Sequence, residues 1–214
     1  MVCGMIMSKG GSDMRKNAAT EEAIQRWNRF ADSYAANHTE QGDIHKEVFL
    51  NPVIFSLIET VKNQKVLDAG CGEGYLSRML AAREAVVTAV DYSTRMLEIA
   101  KERTPDGLHI HYRHGNCEDL HFLDEQSFDI IISNMVIQDL ANDEKAFQEM
   151  HRLLKDGGCF IFQYYTLVSS PRKADGKEPK TAKSSIGTLI GIFTKAHMSS
   201  RWAARRKCFF FTEH

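Results

Sequence analysis

The segment Lys65-Val66-Leu67-Asp68-Ala69-Gly70-Cys71-Gly72-Glu73-Gly74 constrains the fold more than any other stretch of the chain. A short apolar run, Lys65–Asp68, reads as a strand, passes through a glycine-rich turn, and opens into Tyr75–Glu84, which reads as a helix. Glycine permits such a turn and lets the backbone approach a ligand closely. The unit recurs down the chain. Val86–Val90 is a buried strand closed by Asp91, followed by a helix over Ser93–Arg103. His109–Arg113 is a third strand, Phe128–Ser133 a fourth, Asp143–Leu154 a helix, and Cys159–Phe162 a fifth strand after Asp156-Gly157-Gly158. Strands alternating with helices imply an α/β fold, a doubly wound and mostly parallel sheet with helices on both faces and right-handed crossovers.

Ahead of this alternation, Ile24, Trp27, Phe30 and Tyr34 recur at helical spacing and share one face of a helix starting near Thr20. A second helix is expected over His45–Val61, with Pro52 placed to divide it. Residues 1–19 read as a disordered leader, 20–162 as the folded domain and 163–214 as an irregular tail. The 214 residues suit one domain. A net charge of -1 gives no reason to expect nucleic acid or an anionic membrane as partner. The apolar runs are too short for a membrane span, and Met1–Met7 is too short for a secretory signal. Five widely spaced cysteines without a Cys-x-x-Cys pair argue against a zinc site and for reduced thiols in a cytoplasmic protein.

In an open α/β sheet, ligands bind beyond the carboxyl ends of the strands. Asp91 ends the second strand, where its carboxylate can accept from the vicinal hydroxyls of a ribose. Gly115-Asn116-Cys117-Glu118-Asp119 follows the third strand, where a polar side chain and a backbone N–H can read an adenine edge. Asp68 lies beside the glycines. A pyrophosphate loop avoids extra anions, so an acid here suits a cationic ligand such as S-adenosylmethionine.

With these residues in place, Val66–Gly74 resembles the first motif of the class I S-adenosylmethionine-dependent methyltransferases. Val90-Asp91-Tyr92-Ser93, with Met96-Leu97, resembles the second. Gly115–Leu120 resembles the third, where the family often has Asp in place of Asn116. Ser127–Asn134 resembles the fourth, and Leu153–Gly158 the turn before the fifth strand. The resemblance runs from about Trp27 to Phe162. It implies a Rossmann-like methyltransferase fold, S-adenosylmethionine as cofactor and a small-molecule substrate. It places Gly70 and Gly72 against the methionine part, with Cys71 between them and Asp68 supporting the loop or the amino group. Asp91 would hold the ribose, Tyr92 and Met96 would flank the adenine, and Asn116, Cys117 and Glu118 would surround its edge. Asn134 would touch the methionine end through its backbone. Trp27, Phe30 and Tyr34 would form a helical lid, with Tyr34 the best ligand among them and core packing the competing role for the other two.

Methyl transfer from a sulfonium is an in-line displacement with a neutral leaving group, so positioning supplies much of the rate and a base is required only when the acceptor must lose a proton. No catalytic acid or base is identified. His38 and His45 lie near the lid and face either substrate or solvent. His109 and His111 share one strand face and read as solvated, not as metal ligands. Glu73 and Asp119 read as local loop residues. A nicotinamide-dependent oxidoreductase would also require a glycine loop and an acid ending the second strand, but its Gly-x-Gly-x-x-Gly differs from the Gly-x-Gly-x-Gly here.

Beyond Phe162 the periodicity stops. Ser169–Ser185 is rich in Lys, Ser and Pro, and Arg201–Lys207 is basic. The codons of this tail admit another reading. Joining the third base of each codon to the first two of the next forces Gln163-Tyr164 to Ile or Val and Tyr164-Tyr165 to Leu, and permits the opening SILHPCFVT. A single T lost within the codons of Phe160-Ile161-Phe162 would produce the chain as it stands. On this expectation the C-terminal strands are missing, the fifth strand is an exposed edge, and the product is an impaired or defective cofactor-binding remnant in which Lys195, His197 and Arg201 have no catalytic role.

Overall fold

In a computed structural model the described residues are 10–58, 60–168, 185–195 and 198. Among them the chain runs α1 (Gly10–Ala36), a π-helical turn (Lys46–Leu50), α2 (Asn51–Leu57), β1 (Lys65–Ala69), α3 (Tyr75–Ala81), β2 (Val86–Asp91), α4 (Thr94–Glu102) and β3 (Ile110–His114). It continues through β4 (Phe128–Asn134), a 3-10 turn (Ile137–Asp139), α5 (Asp143–Leu153), β5 (Leu154–Val168) and β6 (Ser185–Thr194). The strands form one sheet in the order β3-β2-β1-β4-β5-β6. β1 to β5 are parallel and β6 is antiparallel to β5. No helix among the described residues is long and apolar enough to cross a membrane.

Period-two alternation puts successive side chains on opposite faces of the sheet. Val66, Ile130, Ile132 and Ile161 join Ile54, Leu76 and Leu80 on one face. Leu67, Ile131, Phe160 and Phe162 join Phe147, Met150 and Leu153 of α5 on the other. There Phe147 meets both Phe160 and Phe162 edge-on, at 5.4 and 5.1 Å between ring centroids. Helix starts follow local chemistry: the Ser93 hydroxyl accepts from the Met96 N–H at 3.2 Å, and Asn142 caps α5 by accepting from the Lys145 N–H at 3.2 Å.

Three elements differ from expectation. Helix α1 begins at Gly10, well ahead of Thr20, so residues 10–19 are helical backbone rather than leader. Its far end packs on α4 through Ala31, Ala35, Met96 and Ile99. The expected second helix ends short of Val61, and its backbone stays helical through Leu50 and Asn51, with no break at Pro52. The turn before it widens to π, with the Asn51 N–H donating to the Lys46 carbonyl, and α2 ends at Leu57.

The largest correction concerns the tail. β5 runs on to Val168, and β6 pairs with it from Cys159↔Thr194 to Val168↔Ser185. The edge expected to be bare is therefore covered, and a C-terminal strand expected to be missing is present. Gly191 explains why the strand escapes notice. A Cβ there would fall 2.3 Å from the ring of its cross-strand partner Phe162, so the apolar run is broken by glycine to admit that ring. Phe193 then stacks on Phe162, with centroids 5.7 Å apart. Lys195 is ion-paired to Asp156 at 3.2 Å. His197, the basic run Arg201–Lys207, most of Ser169–Ser185 and residues 1–9 lie outside the described residues.

Candidate cofactor cleft

At the carboxyl end of the sheet, where the winding reverses between β1 and β4, an open cleft lies under α1. This is the crevice in which doubly wound sheets place ligands. Its floor is the glycine loop. The N–H groups of Gly70 and Cys71 donate to the Val90 carbonyl at 2.7 and 2.9 Å, strapping the loop to the end of β2. Gly70 and Gly72 have φ of +83° and +54°, values that favour glycine. They differ in surroundings: a Cβ on Gly70 would strike Val136 at 2.3 Å, whereas no described atom lies within 4 Å of one on Gly72. Gly72 thus presents bare backbone to the cleft.

Asp91 is held on both carboxylate oxygens, by the Gly72 N–H at 2.8 Å and the Ser93 N–H at 2.8 Å. Burial raises its pKa, and those N–H groups work against the rise. Each oxygen keeps a lone pair for a further donor.

Of the residues singled out in the sequence, Tyr34, Gly70, Gly72, Asp91, Tyr92, Met96, Asn116, Cys117 and Asn134 line this cleft together, with Trp27 of the lid. The Cys117 thiol is buried at its wall, and burial pushes its pKa well up. The Asn116 side-chain oxygen accepts the Glu118 N–H at 2.9 Å, so the carbonyl expected to meet adenine already has one partner. Asn134 donates through Nδ2 to the Tyr75 hydroxyl at 2.6 Å, which donates to Asn51 at 3.2 Å. The Asn134 Oδ1 is buried without a partner among the described residues.

Three singled-out residues stand behind the cleft wall. Asp68 is buried under the loop and accepts from the Ser77 hydroxyl at 2.5 Å. Burial, with Asp91 and Glu73 nearby, pushes its carboxyl up to about 7 despite that bond. Cys71 is buried in the core beneath the loop. Glu118 turns toward α5, its Oε1 accepting from the N–H groups of Ala141 and Asn142 at 3.0 and 3.2 Å. Phe30 is 57% exposed and is neither core nor cleft wall.

His38 corrects both of its expected settings. Its side chain is 2% exposed, and it faces neither solvent nor the cleft lining. It sits among Tyr34, Tyr75, Asp43 and the buried ammonium of Lys46, which reaches Asp43 at 2.5 Å and His38 at 2.9 Å. Burial lowers the His38 pKa, while the hydrogen bond and charge of Lys46 hold the Asp43 carboxyl well below the usual range. Glu73 is no simple loop residue either. It is buried against Arg78 at 2.9 Å and Arg103 at 3.5 Å, which ties the loop to α3 and α4.

The cleft also takes in Ile24, Ser93 and Gly115, which stand in the stretches named from sequence without a site role, and Ala23, Met135, Val136, Asp139 and Leu140, which the sequence reading did not single out. The signal for Met135–Leu140 was positional: the segment leaves the carboxyl end of β4, beside β1, where the ligand rule points.

Residues 67–162 match a family described as a methyltransferase domain. Over 151 residues the chain is 32% identical to a ubiquinone biosynthesis O-methyltransferase of Haemophilus ducreyi, covering 66% of this chain and 63% of that protein. Over 166 residues it is 32% identical to a malonyl-[acyl-carrier protein] O-methyltransferase of Serratia marcescens, covering 78% of this chain and 61% of that protein. The chain thus spans less than two thirds of either relative. Among solved structures, phosphoethanolamine N-methyltransferase 1 of Haemonchus contortus shares the fold with a TM-score of 0.60 at 20% identity, over 82% of this chain and 37% of that one. The chain carries the domain of a class I S-adenosylmethionine-dependent methyltransferase.

Proposed function

We propose that the chain transfers a methyl group from S-adenosylmethionine to an oxygen atom of a small, uncharged and largely apolar acceptor, in the cytoplasm. The observation that carries this reading is Asp91, an anchored carboxylate beside the open backbone of Gly72 in a cleft also lined by Asn116 and Asn134. The residues fit the cofactor: Asp91 would hold the ribose hydroxyls, Tyr92, Met96, Asn116 and Cys117 the adenine, and Gly70, Gly72 and the unpartnered Asn134 Oδ1 the methionine end. When bound, the sulfonium supplies the methyl group and departs as a neutral thioether.

The protein's own contribution is positioning and exclusion of water. Trp27 and Tyr34 cover the cleft from α1, and Val136 presses on Gly70 from the β4 side. The charged side chains among the described lining are Asp91, held by backbone N–H groups, and Asp139, paired with Arg26, while Ala23, Ile24, Val136 and Leu140 make much of the wall apolar. That lining supports an uncharged acceptor. Oxygen as nucleophile is supported by the two relatives described above being O-methyltransferases.

Calorimetric titration with S-adenosylhomocysteine and, separately, with NAD tests the cofactor assignment. Binding of the first and not the second is expected. Saturable NAD binding without S-adenosylhomocysteine binding would overturn it.

A further inference from the structure

Helix α1 crosses the cleft, and its two sides are held unequally. Toward α4 its C-terminal third is fastened. Ala31 and Ala35 pack on Met96 and Ile99, Asn28 accepts from the Ser93 hydroxyl at 2.7 Å, Asp32 meets Arg95 at 2.6 Å, and Arg103 donates to the Ala35 carbonyl at 2.7 Å. Toward β4, the described polar contacts converge on one side chain. Asp139, in the 3-10 turn after β4, accepts from Arg26 at 2.9 Å, with the Trp27 indole N–H near enough to favour its carboxylate form. Asp139 and Trp27 both line the cleft, and Arg26 stands on its outer rim.

From this asymmetry we infer that Asp139 is a positioning residue. It latches α1 across the cleft mouth, and ligand leaves when the Arg26–Asp139–Trp27 contact opens and α1 swings on its α4 side. The inference rests on the cofactor reading above. Arg26 is half exposed, so the ion pair itself adds little. The Trp27 indole, on the cleft wall with Asp139, adds its N–H dipole to that attraction. The turn bearing Asp139 is itself held in place: the Met135 N–H donates to the Gln163 carbonyl at 2.9 Å, and Gln138 donates to the Met135 carbonyl at 2.6 Å. A fixed turn on one side and a packed hinge on the other make the acid between them the point that yields.

The test follows tryptophan fluorescence by stopped flow while S-adenosylhomocysteine is chased from the full chain. Asp139→Ala is expected to release it about fivefold to tenfold faster, an increase carried by the dissociation rate. Asp139→Asn keeps an acceptor for the indole, and Arg26→Ala keeps the carboxylate, so each should give a smaller increase. The double variant Arg26→Ala/Asp139→Asn should be less than additive. Raising the salt concentration should speed release from the wild type but not from Arg26→Ala, a difference that mere loss of packing would not produce. Release rates within error of wild type for Asp139→Ala overturn the latch and leave the cofactor reading standing. A wild-type chain that fails to bind S-adenosylhomocysteine overturns both.

Discussion

Replacing Asp68 with asparagine should change the pH dependence of stability, because the carboxylate is buried with one hydroxyl partner and two acids nearby. Asp68 titrates near 7 in the folded chain against an ordinary value of 3.8. Its folded pKa is raised, so the native state binds the proton more tightly than the unfolded chain does. Below pH 3.8 both states are protonated and the term is silent. Between about 4 and 7 the unfolded chain ionises first, and the native state loses stability as pH rises. Above 7 both are ionised and the loss is complete. At about 1.4 kcal/mol for each tenfold difference in proton affinity, the loss approaches roughly 4 kcal/mol. The Asp68→Asn variant would keep an acceptor for the Ser77 hydroxyl and would have no such term. Urea unfolding of both proteins from about pH 4.5 to about pH 8.5 measures the difference between their stabilities. The variant should gain on the wild type across that interval by most of this amount and then run parallel to it. Curves that stay parallel throughout would refute the reasoning, because they would show that Asp68 ionises as it does in the unfolded chain.

Asp91→Asn should weaken S-adenosylhomocysteine binding by about 10- to 150-fold, the worth of a hydrogen bond to a charged group at roughly 1.5–3 kcal/mol, with unfolding changed far less; unaltered affinity in calorimetry would remove Asp91 from the site. Gly191→Val should drive a side chain into Phe162 and cost about 1–3 kcal/mol, lowering the melting temperature by several degrees through loss of the β5–β6 pairing. An unchanged melting temperature would mean that β6 contributes nothing. If a base was lost in the codons of Phe160–Phe162, restoring it in the gene opens a longer frame that begins SILHPCFVT; a gene with no such frame ends that idea.

Strands β1, β2 and β4 were legible because each is a short apolar run followed by a turn signal. Val66-Leu67, Val86–Val90 and Ile130–Ile132 alternate between two buried faces, so nearly every position is apolar and the run stands out. β6 was not legible, because Gly187 and Gly191 interrupt its apolar run and the need for Gly191 resides in Phe162 on another strand. In the cleft, Asp91 and the glycines were readable because their roles depend on backbone geometry at strand ends. Lys46 was not. A lysine in a polar stretch reads as solvated, and its burial depends on the π-helical turn that brings it onto Asp43, His38 and Tyr34. Asp139 and Val136 carry no motif, and only the adjacency of β4 to β1 gives them a place at the cleft.

The reversal between β1 and β4 also divides the chain by what selection can act on. On the proposed function, positions from Lys65 to Leu120 answer to a cofactor of fixed chemistry. On the same reading, positions beyond Asn134 answer to whichever acceptor a lineage uses, and they lie on the β4 side of the seam, with β5 and β6 filling that edge of the sheet. Duplicated copies of such a gene can drift on one side of that seam without disturbing the other. A deep mutational scan would show the boundary as a step in tolerance between the residue before β4 and the residue after it.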